Sequence, residues 1–197
     1  NELGGSLHGA TGGGLTEFGR EAVKSAQAKG MIVDVAHSSE AVVRDVLAIT
    51  AGPIIVSHTG LRGHCNSPRN LPDELMKEIA AKGGLIGVGF WDGAVCGQTV
   101  QSIAAAIIYA VGLVGADHVA LGSDFDGATT VPFDASESAV LTDALLMDGL
   151  DEAEIGAVMG ENAIRFFFAE KRQRPSGRAT SSRTPVWMTK CGSSCVQ

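Results

Sequence analysis

The chain has 197 residues, enough for one domain with a substantial core but fewer than the about 250 of a complete (β/α)8 barrel. Its 45% hydrophobic and 19% charged residues exclude an intrinsically disordered protein. The formal net charge of -7 argues against a nucleic-acid partner, which would require a basic face. No apolar run approaches the ~18 residues of a transmembrane segment.

Basic residues are concentrated at the C-terminus, where residues 171–197 hold six lysines and arginines and no acid. We therefore predict a folded unit at residues 1–170 and a disordered or artefactual tail at residues 171–197. The chain begins with Asn1 rather than Met, and its first residues are unlike a signal peptide. We expect Asn1 to be an interior point of a longer polypeptide.

Helical patterns alternate with short apolar runs throughout the predicted folded unit. Thr16 is a suitable N-cap for the first helix, which Gly30 would end, and Ser38 or Ser39 is suitable for the second. The apolar runs are of strand length and rich in β-branched residues. We predict strands at residues 31–36, 54–57, 85–90 and 119–122, and helices at residues 16–30, 40–49, 72–83, 102–114, 138–147 and 151–168.

Near-continuous apolar strands separated by helices predict an α/β fold with a parallel sheet buried on both faces. Four β/α units in succession fit half of a barrel or an open doubly wound sheet. His37, His58 and Asp124 each follow the C-terminal end of a predicted strand. Because barrel enzymes keep their catalytic residues at that end, we favour a partial TIM (β/α)8 barrel.

His37 and His58 follow consecutive predicted strands and should face the same end of the sheet. Neutral imidazoles placed together bind zinc well, and a carboxylate from a nearby strand could complete or serve the site. For either histidine alone, a hydrogen-bonded loop residue is the simpler interpretation. Asp34 lies inside a predicted strand, and we expect its carboxylate to bind helix N–H groups or an arginine rather than to act in catalysis.

Five parts of the chain resemble motifs of the renal (membrane) dipeptidase family of zinc metallopeptidases, in the family's order. The interval of 21 residues between His37 and His58 matches that family's two histidine ligands. The similarity extends from about Leu15 to Phe168 and corresponds to the last four β/α units, strands five to eight, of the barrel. The similar segments are residues 14–39, 53–59, 67–73, 122–127 and 159–167.

The resemblance to this family implies functions for four residues of the chain, two histidines, one arginine and one aspartate. His37 and His58 would bind one zinc of a binuclear centre, and Arg69 would bind the C-terminal carboxylate of a dipeptide through its planar fork. Asp124 would be the catalytic acid/base beside a metal-activated water. The family's other metal ligands and a further substrate-binding histidine would lie upstream of Asn1. We therefore predict that the isolated chain is inactive.

Two other functions remain open. One is a different metallohydrolase barrel of the amidohydrolase type, which also uses histidines at strand ends and a late aspartate; the sequence Ser67-Pro68-Arg69-Asn70 favours the dipeptidase. The other is a non-catalytic half-barrel fragment, because a cut barrel exposes strand edges and apolar surface. For the full-length enzyme we also consider a homodimer.

Cys65 and Cys96 both fall in loops that follow neighbouring predicted strands, at the same face of the sheet. Two such loops can bring the Cα atoms within the ~4.4–6.8 Å of a disulfide, and cysteines at similar positions are bridged in secreted members of the resembled family. A bond would hold the loop of Arg69 and would imply an oxidising compartment. Two free, partly buried thiols are the alternative.

Overall fold

The computed structural model describes residues 1–7 and 12–173. They form an α/β fold in which helices and short parallel strands alternate. The predicted tail, apart from its first three residues, lies outside the described residues. The helices are α1 (Glu17–Ala28), α2 (Glu40–Ile49), α3 (Asp73–Ala81), α4 (Asp92–Val95), α5 (Val100–Val114), α6 (Ala139–Met147), α7 (Glu152–Gly156) and α8 (Asn162–Gln173), and the strands are β1 (Ile55–Thr59), β2 (Leu85–Val88) and β3 (Val119–Leu121).

The three strands form one parallel sheet in the order β1-β2-β3. Ile55 pairs with Leu85, and Ile86 pairs with Val119. Every residue of β2 is buried, as expected for the central strand of a sheet covered by helices on both faces. The side chains of Ile103 and Ile107 on α5 are fully buried in the same core as Ile86. The parallel sheet predicted from the apolar runs is confirmed.

The first predicted strand, residues 31–36, is wrong as a regular strand. It makes one isolated parallel bridge, between Asp34 and Ile55. Val35 donates to the carbonyl of Ile55, and Ile55 donates to the carbonyl of Val33. Met31 and Asp34 are exposed. The segment pairs with β1 through Asp34 alone, so the repeated backbone pairing of a regular strand does not form.

The helix starts follow the predicted capping residues. The hydroxyl of Thr16 accepts from the N–H of Gly19, and the hydroxyl of Ser39 accepts from Val42. Gly30 has φ +68, the left-handed conformation that follows many helix C-termini. The single helix predicted at residues 151–168 is instead two helices, α7 and α8, separated by a π-helical segment at Ala157–Glu161. In the described part of the chain, no helix has the length and apolarity needed to cross a membrane.

Candidate active site at the ends of the parallel strands

His37 and His58 converge at the C-terminal end of β1. His58 is part of that strand, and His37 follows the bridge at Asp34. Their Nε2 atoms lie 2.8 Å apart, and the ring centroids are 4.8 Å apart at an interplanar angle of 65°. The two nitrogens are within hydrogen-bonding distance, so in this structure one imidazole donates to the other, and the two side chains meet at the same end of the sheet.

The hydrogen bonding of His58 suits a metal ligand. Its Nδ1 lies 2.9 Å from Oγ of Ser57. When Nδ1–H donates to this hydroxyl, the lone pair is on Nε2, the atom that faces His37. Two nitrogens this close can both reach one ion at the ~2.0–2.1 Å typical of zinc–nitrogen bonds. Within residues 1–7 and 12–173, no group of three His, Cys, Asp or Glu residues could hold a metal.

The carboxylate of Asp34 is hydrogen-bonded to both segments that carry the histidines. One oxygen of its carboxylate accepts hydrogen bonds from the backbone N–H groups of Ala36, 3.0 Å away, and Ser57, 3.1 Å away. Ala36 precedes His37 and Ser57 precedes His58, so the carboxylate joins both histidine-bearing segments. The predicted structural role is present, but the donors are these two backbone groups and not a helix or an arginine.

Arg69 lies next to the histidines on the loop between β1 and α3. Its Nη2 donates to the carbonyl of His58 at 3.3 Å, and its guanidinium carbon lies 5.2 Å from the ring centroid of Trp91. The other terminal nitrogen, Nη1, is buried and has no hydrogen-bond partner. Burial lowers the pKa of Arg69, and the nearby carboxylate of Asp124 acts against this shift. A half-buried guanidinium that has a donor without a partner is a candidate for binding an anionic group.

Asp124 lies on the loop after β3, at the same end of the sheet as Arg69. It is close enough to Arg69 for the two charges to interact. Its carbonyl accepts from the N–H of Gly127 and from the hydroxyl of Thr129. A Cβ atom on Gly127 would lie 2.5 Å from the Asp124 carboxylate, so a larger residue there would displace that carboxylate. Asp126 is exposed, whereas Asp124 is half-buried.

Backbone conformation also distinguishes this region. His37, Cys96 and Asp124 have φ values of +63°, +55° and +58°. Among the described residues, these are the only non-glycine residues with positive φ. Left-handed backbone is unfavourable for residues with a Cβ and is concentrated at functional sites, so the grouping is independent support for a site here.

Trp91 is a site residue that the sequence analysis did not identify. Its ring centroid lies 6.0 Å from that of His58, and the Arg69 guanidinium lies over its face. Trp91 directly follows the buried apolar run 85–90. His37 and His58 follow their predicted strands in the same way, and this position was the signal that could have identified Trp91.

Cys65 and Cys96 are joined by a disulfide, with their Cα atoms 5.4 Å apart. The bond connects the Arg69 loop to the loop that follows Trp91, so it holds together the two segments that form the cation–π contact. Of the two alternatives left open by the sequence, the structure contains the bonded form.

We expect this disulfide to be present in the full-length protein after oxidative expression. Mass spectrometry of a non-reduced digest should contain a single linked peptide pair with Cys65 and Cys96, which separates after reduction. Recovery of both cysteines as free, alkylatable thiols from the non-reduced protein would contradict the bond. Removing a native disulfide typically costs 2–5 kcal/mol in small secreted domains, so Cys96→Ser should also lower the Tm by several degrees.

Comparisons with known proteins identify the family of this chain. The family described as Membrane dipeptidase (Peptidase family M19) matches residues 5–178. Dipeptidase ataJ of Aspergillus terreus is 37% identical over 173 residues, which cover 80% of this chain and 42% of that protein. Dipeptidase 3 of Macaca fascicularis is 29% identical over 174 residues, which cover 85% of this chain and 36% of that protein. The chain thus spans about two fifths of the length of these relatives.

Solved structures share the fold. The probable dipeptidase PvdM from Pseudomonas aeruginosa has a TM-score of 0.80 at 24% identity, over 87% of this chain and 60% of that one. A metallo peptidase from Rhodobacter sphaeroides, liganded with a phosphinate mimic of the dipeptide L-Ala-D-Ala, has a TM-score of 0.75 at 26% identity, over 86% and 50%. The family match over most of the sequence and the identity to curated dipeptidases lead to one conclusion: the chain belongs to the membrane dipeptidase family, peptidase family M19.

Proposed function

We propose that this chain is the C-terminal part of a zinc-dependent dipeptidase in which His37 and His58 bind one metal ion of a binuclear centre. The observation that carries the proposal is the 2.8 Å approach of the two Nε2 atoms beside the half-buried guanidinium of Arg69, whose Nη1 has no hydrogen-bond partner. The first feature suits a metal and the second suits a carboxylate, and a dipeptidase needs both within a few ångströms of each other. A bound zinc would polarise the peptide carbonyl and lower the pKa of a bound water.

The described residues have separate functions in this proposal. Arg69 binds the C-terminal carboxylate of the substrate and thereby positions its peptide bond near the histidines. Trp91 supports the guanidinium from one face. Asp124, half-buried beside Arg69, accepts the proton of the attacking water and donates one to the leaving amine. Ser57 and Asp34 keep the imidazoles oriented.

The ligands that the described residues lack would come from the rest of the longer polypeptide. Two imidazoles fill only half of a tetrahedral zinc shell, so the rest of the protein would supply the remaining donors and the second metal site. This division explains why the histidine pair is well formed although no complete metal site is present within residues 1–7 and 12–173.

The test is hydrolysis of dipeptides by the full-length protein and by the 197-residue chain, each before and after chelation. We expect the full-length protein to hydrolyse dipeptides, to lose activity with the chelator and to regain it with added zinc, while the isolated chain stays inactive throughout. Activity that is indifferent to the chelator would contradict a metal-dependent function. Chelator-sensitive activity of the isolated chain would show that the site is complete without further residues.

A further inference from the structure

The carboxylate of Asp73 connects three elements behind the candidate site. Asp73 is the first residue of α3. Its Oδ1 accepts from the backbone N–H of Gly63 at 2.9 Å, and its Oδ2 accepts from the hydroxyl of Tyr109 on α5 at 2.5 Å. Hydrogen bonds to a carboxylate are charge-assisted and stronger than those between neutral groups. The Arg69 loop is therefore attached to two helices through one side chain.

The backbone of Gly63 packs directly against the carboxylate of Asp73 and the hydroxyl of Tyr109. A Cβ atom on Gly63 would lie 2.1 Å from the Tyr109 hydroxyl and 2.2 Å from Oδ2 of Asp73, so the loop backbone lies directly against the pair. The ring of His64 also packs on Tyr109, with centroids 5.6 Å apart. The hydrogen bond to Asp73, followed by burial, raises the pKa of Tyr109, which keeps its hydroxyl a donor.

The restraint at Gly63 continues to Arg69 through short hydrogen-bonded steps. The N–H groups of His64 and Cys65 donate to the carbonyl of Leu61, which closes a turn. The carbonyl of Cys65 accepts from Nδ2 of Asn70 at 2.8 Å, and the same Nδ2 donates to Ala94 at 3.0 Å. Asn70 is fully buried. A displaced Gly63 would thus move the residue that directly follows Arg69.

We propose that Asp73 and Tyr109 are positioning residues that hold the Arg69 guanidinium in place for recognition of the substrate carboxylate. The inference rests on the proposed function of Arg69 and adds two residues outside the site to it. The guanidinium of Arg69 makes a 3.3 Å hydrogen bond to His58, contacts Trp91 and interacts with the charge of Asp124, and its position also depends on the loop backbone. Loosening that backbone should weaken carboxylate binding more than the chemical step.

The experiment uses the full-length protein with four substitutions. Asp73→Ala removes both hydrogen bonds, Tyr109→Phe removes one, and Asp73→Asn can keep both because its amide oxygen accepts from Gly63 and its amide N–H can donate to the Tyr109 oxygen. Glu74→Ala is the matched control. It also removes an acid from the first turn of α3, but Glu74 is exposed and has only a 3.9 Å ion pair with Arg44.

We expect Asp73→Ala to raise KM for dipeptides roughly tenfold and Tyr109→Phe about threefold, with kcat nearly unchanged. Asp73→Asn should restore most of the loss, and Glu74→Ala should match the wild type. KM for C-terminally amidated substrates should not change. A fall in kcat without a change in KM, or an Asp73→Asn variant as impaired as Asp73→Ala, would overturn the proposal.

Hydrogen exchange of the peptide containing residues 61–71 gives a second readout that does not need catalysis. Exchange should be faster in Asp73→Ala and Tyr109→Phe than in the wild type or Glu74→Ala. Unchanged exchange in Tyr109→Phe, a substitution that adds no volume and should fold, would overturn the positioning role. If the wild type fails to hydrolyse dipeptides, the proposed function is wrong, and exchange alone then decides whether the loop is held in this way.

Discussion

Arg69→Lys in the full-length protein is expected to raise KM for dipeptides by about 10- to 100-fold, while kcat falls much less. The guanidinium has a buried Nη1 without a hydrogen-bond partner and lies over the ring of Trp91, and its planar fork can offer two parallel donors to a carboxylate. The ammonium of lysine is a point charge and cannot reproduce that fork. The loss of a charged hydrogen bond, about 1.5–3 kcal/mol, gives the expected factor. Steady-state kinetics with unblocked dipeptides measures it.

The substrate carboxylate provides the control for this prediction. C-terminally amidated dipeptides should already be poor substrates of the wild type and should lose little more in Arg69→Lys. Arg44→Lys is the matched variant, because Arg44 lies exposed on α2 and pairs with Glu78 at 3.0 Å, away from the strand ends. Equal losses for free and amidated substrates would remove Arg69 from carboxylate binding.

Replacing either histidine should have the largest effect on turnover. His37→Ala and His58→Ala each remove one of two nitrogens that lie 2.8 Å apart, so we expect each to lower kcat/KM by more than about 100-fold and to reduce the zinc retained after dialysis. Ser57→Ala removes only the hydroxyl beside Nδ1 of His58 and should cost about 10- to 100-fold, as is typical for partners of metal ligands.

Metal content measured with activity distinguishes ligands from other residues. A true ligand pair should show loss of zinc and loss of rate together, and a large excess of zinc should recover part of the rate in Ser57→Ala. His118→Ala is a suitable control, since its Nδ1 lies 3.0 Å from the carbonyl of Gly84, remote in sequence from both histidines. Full zinc content in His58→Ala would contradict the ligand assignment.

The convergence of the histidines could be predicted because the ends of parallel strands meet at one edge of a sheet whatever the details of packing. The same argument placed Asp124 and the two cysteines near that edge. It could not give the bonding state of Cys65 and Cys96, because loop positions fix only approximate distances. The metal-binding roles of His37 and His58, the substrate-binding role of Arg69 and the catalytic role of Asp124 stay predictions.

Other features depend on contacts that no local pattern encodes. Residues 31–36 have the composition of a strand, but a regular strand also needs backbone pairing with its neighbours. The apolar composition of the segment does not show whether that pairing forms. The network of Asp73 with Gly63 and Tyr109 joins residues up to 46 positions apart in the chain. Polar residues after the predicted strands were the signal for the site, and Trp91 does not carry that signal because its side chain is aromatic.

The left-handed backbone at His37 and Asp124 lowers the stability of the fold at two residues proposed to act in the site. For residues with a Cβ, this conformation costs of order 1 kcal/mol, and glycine would adopt it freely. Selection for heat resistance alone would therefore favour glycine at the two positions proposed to bind metal and to transfer protons. A programme of thermal stabilisation guided by backbone strain should leave both residues untouched, because their strain is the cost of a working site.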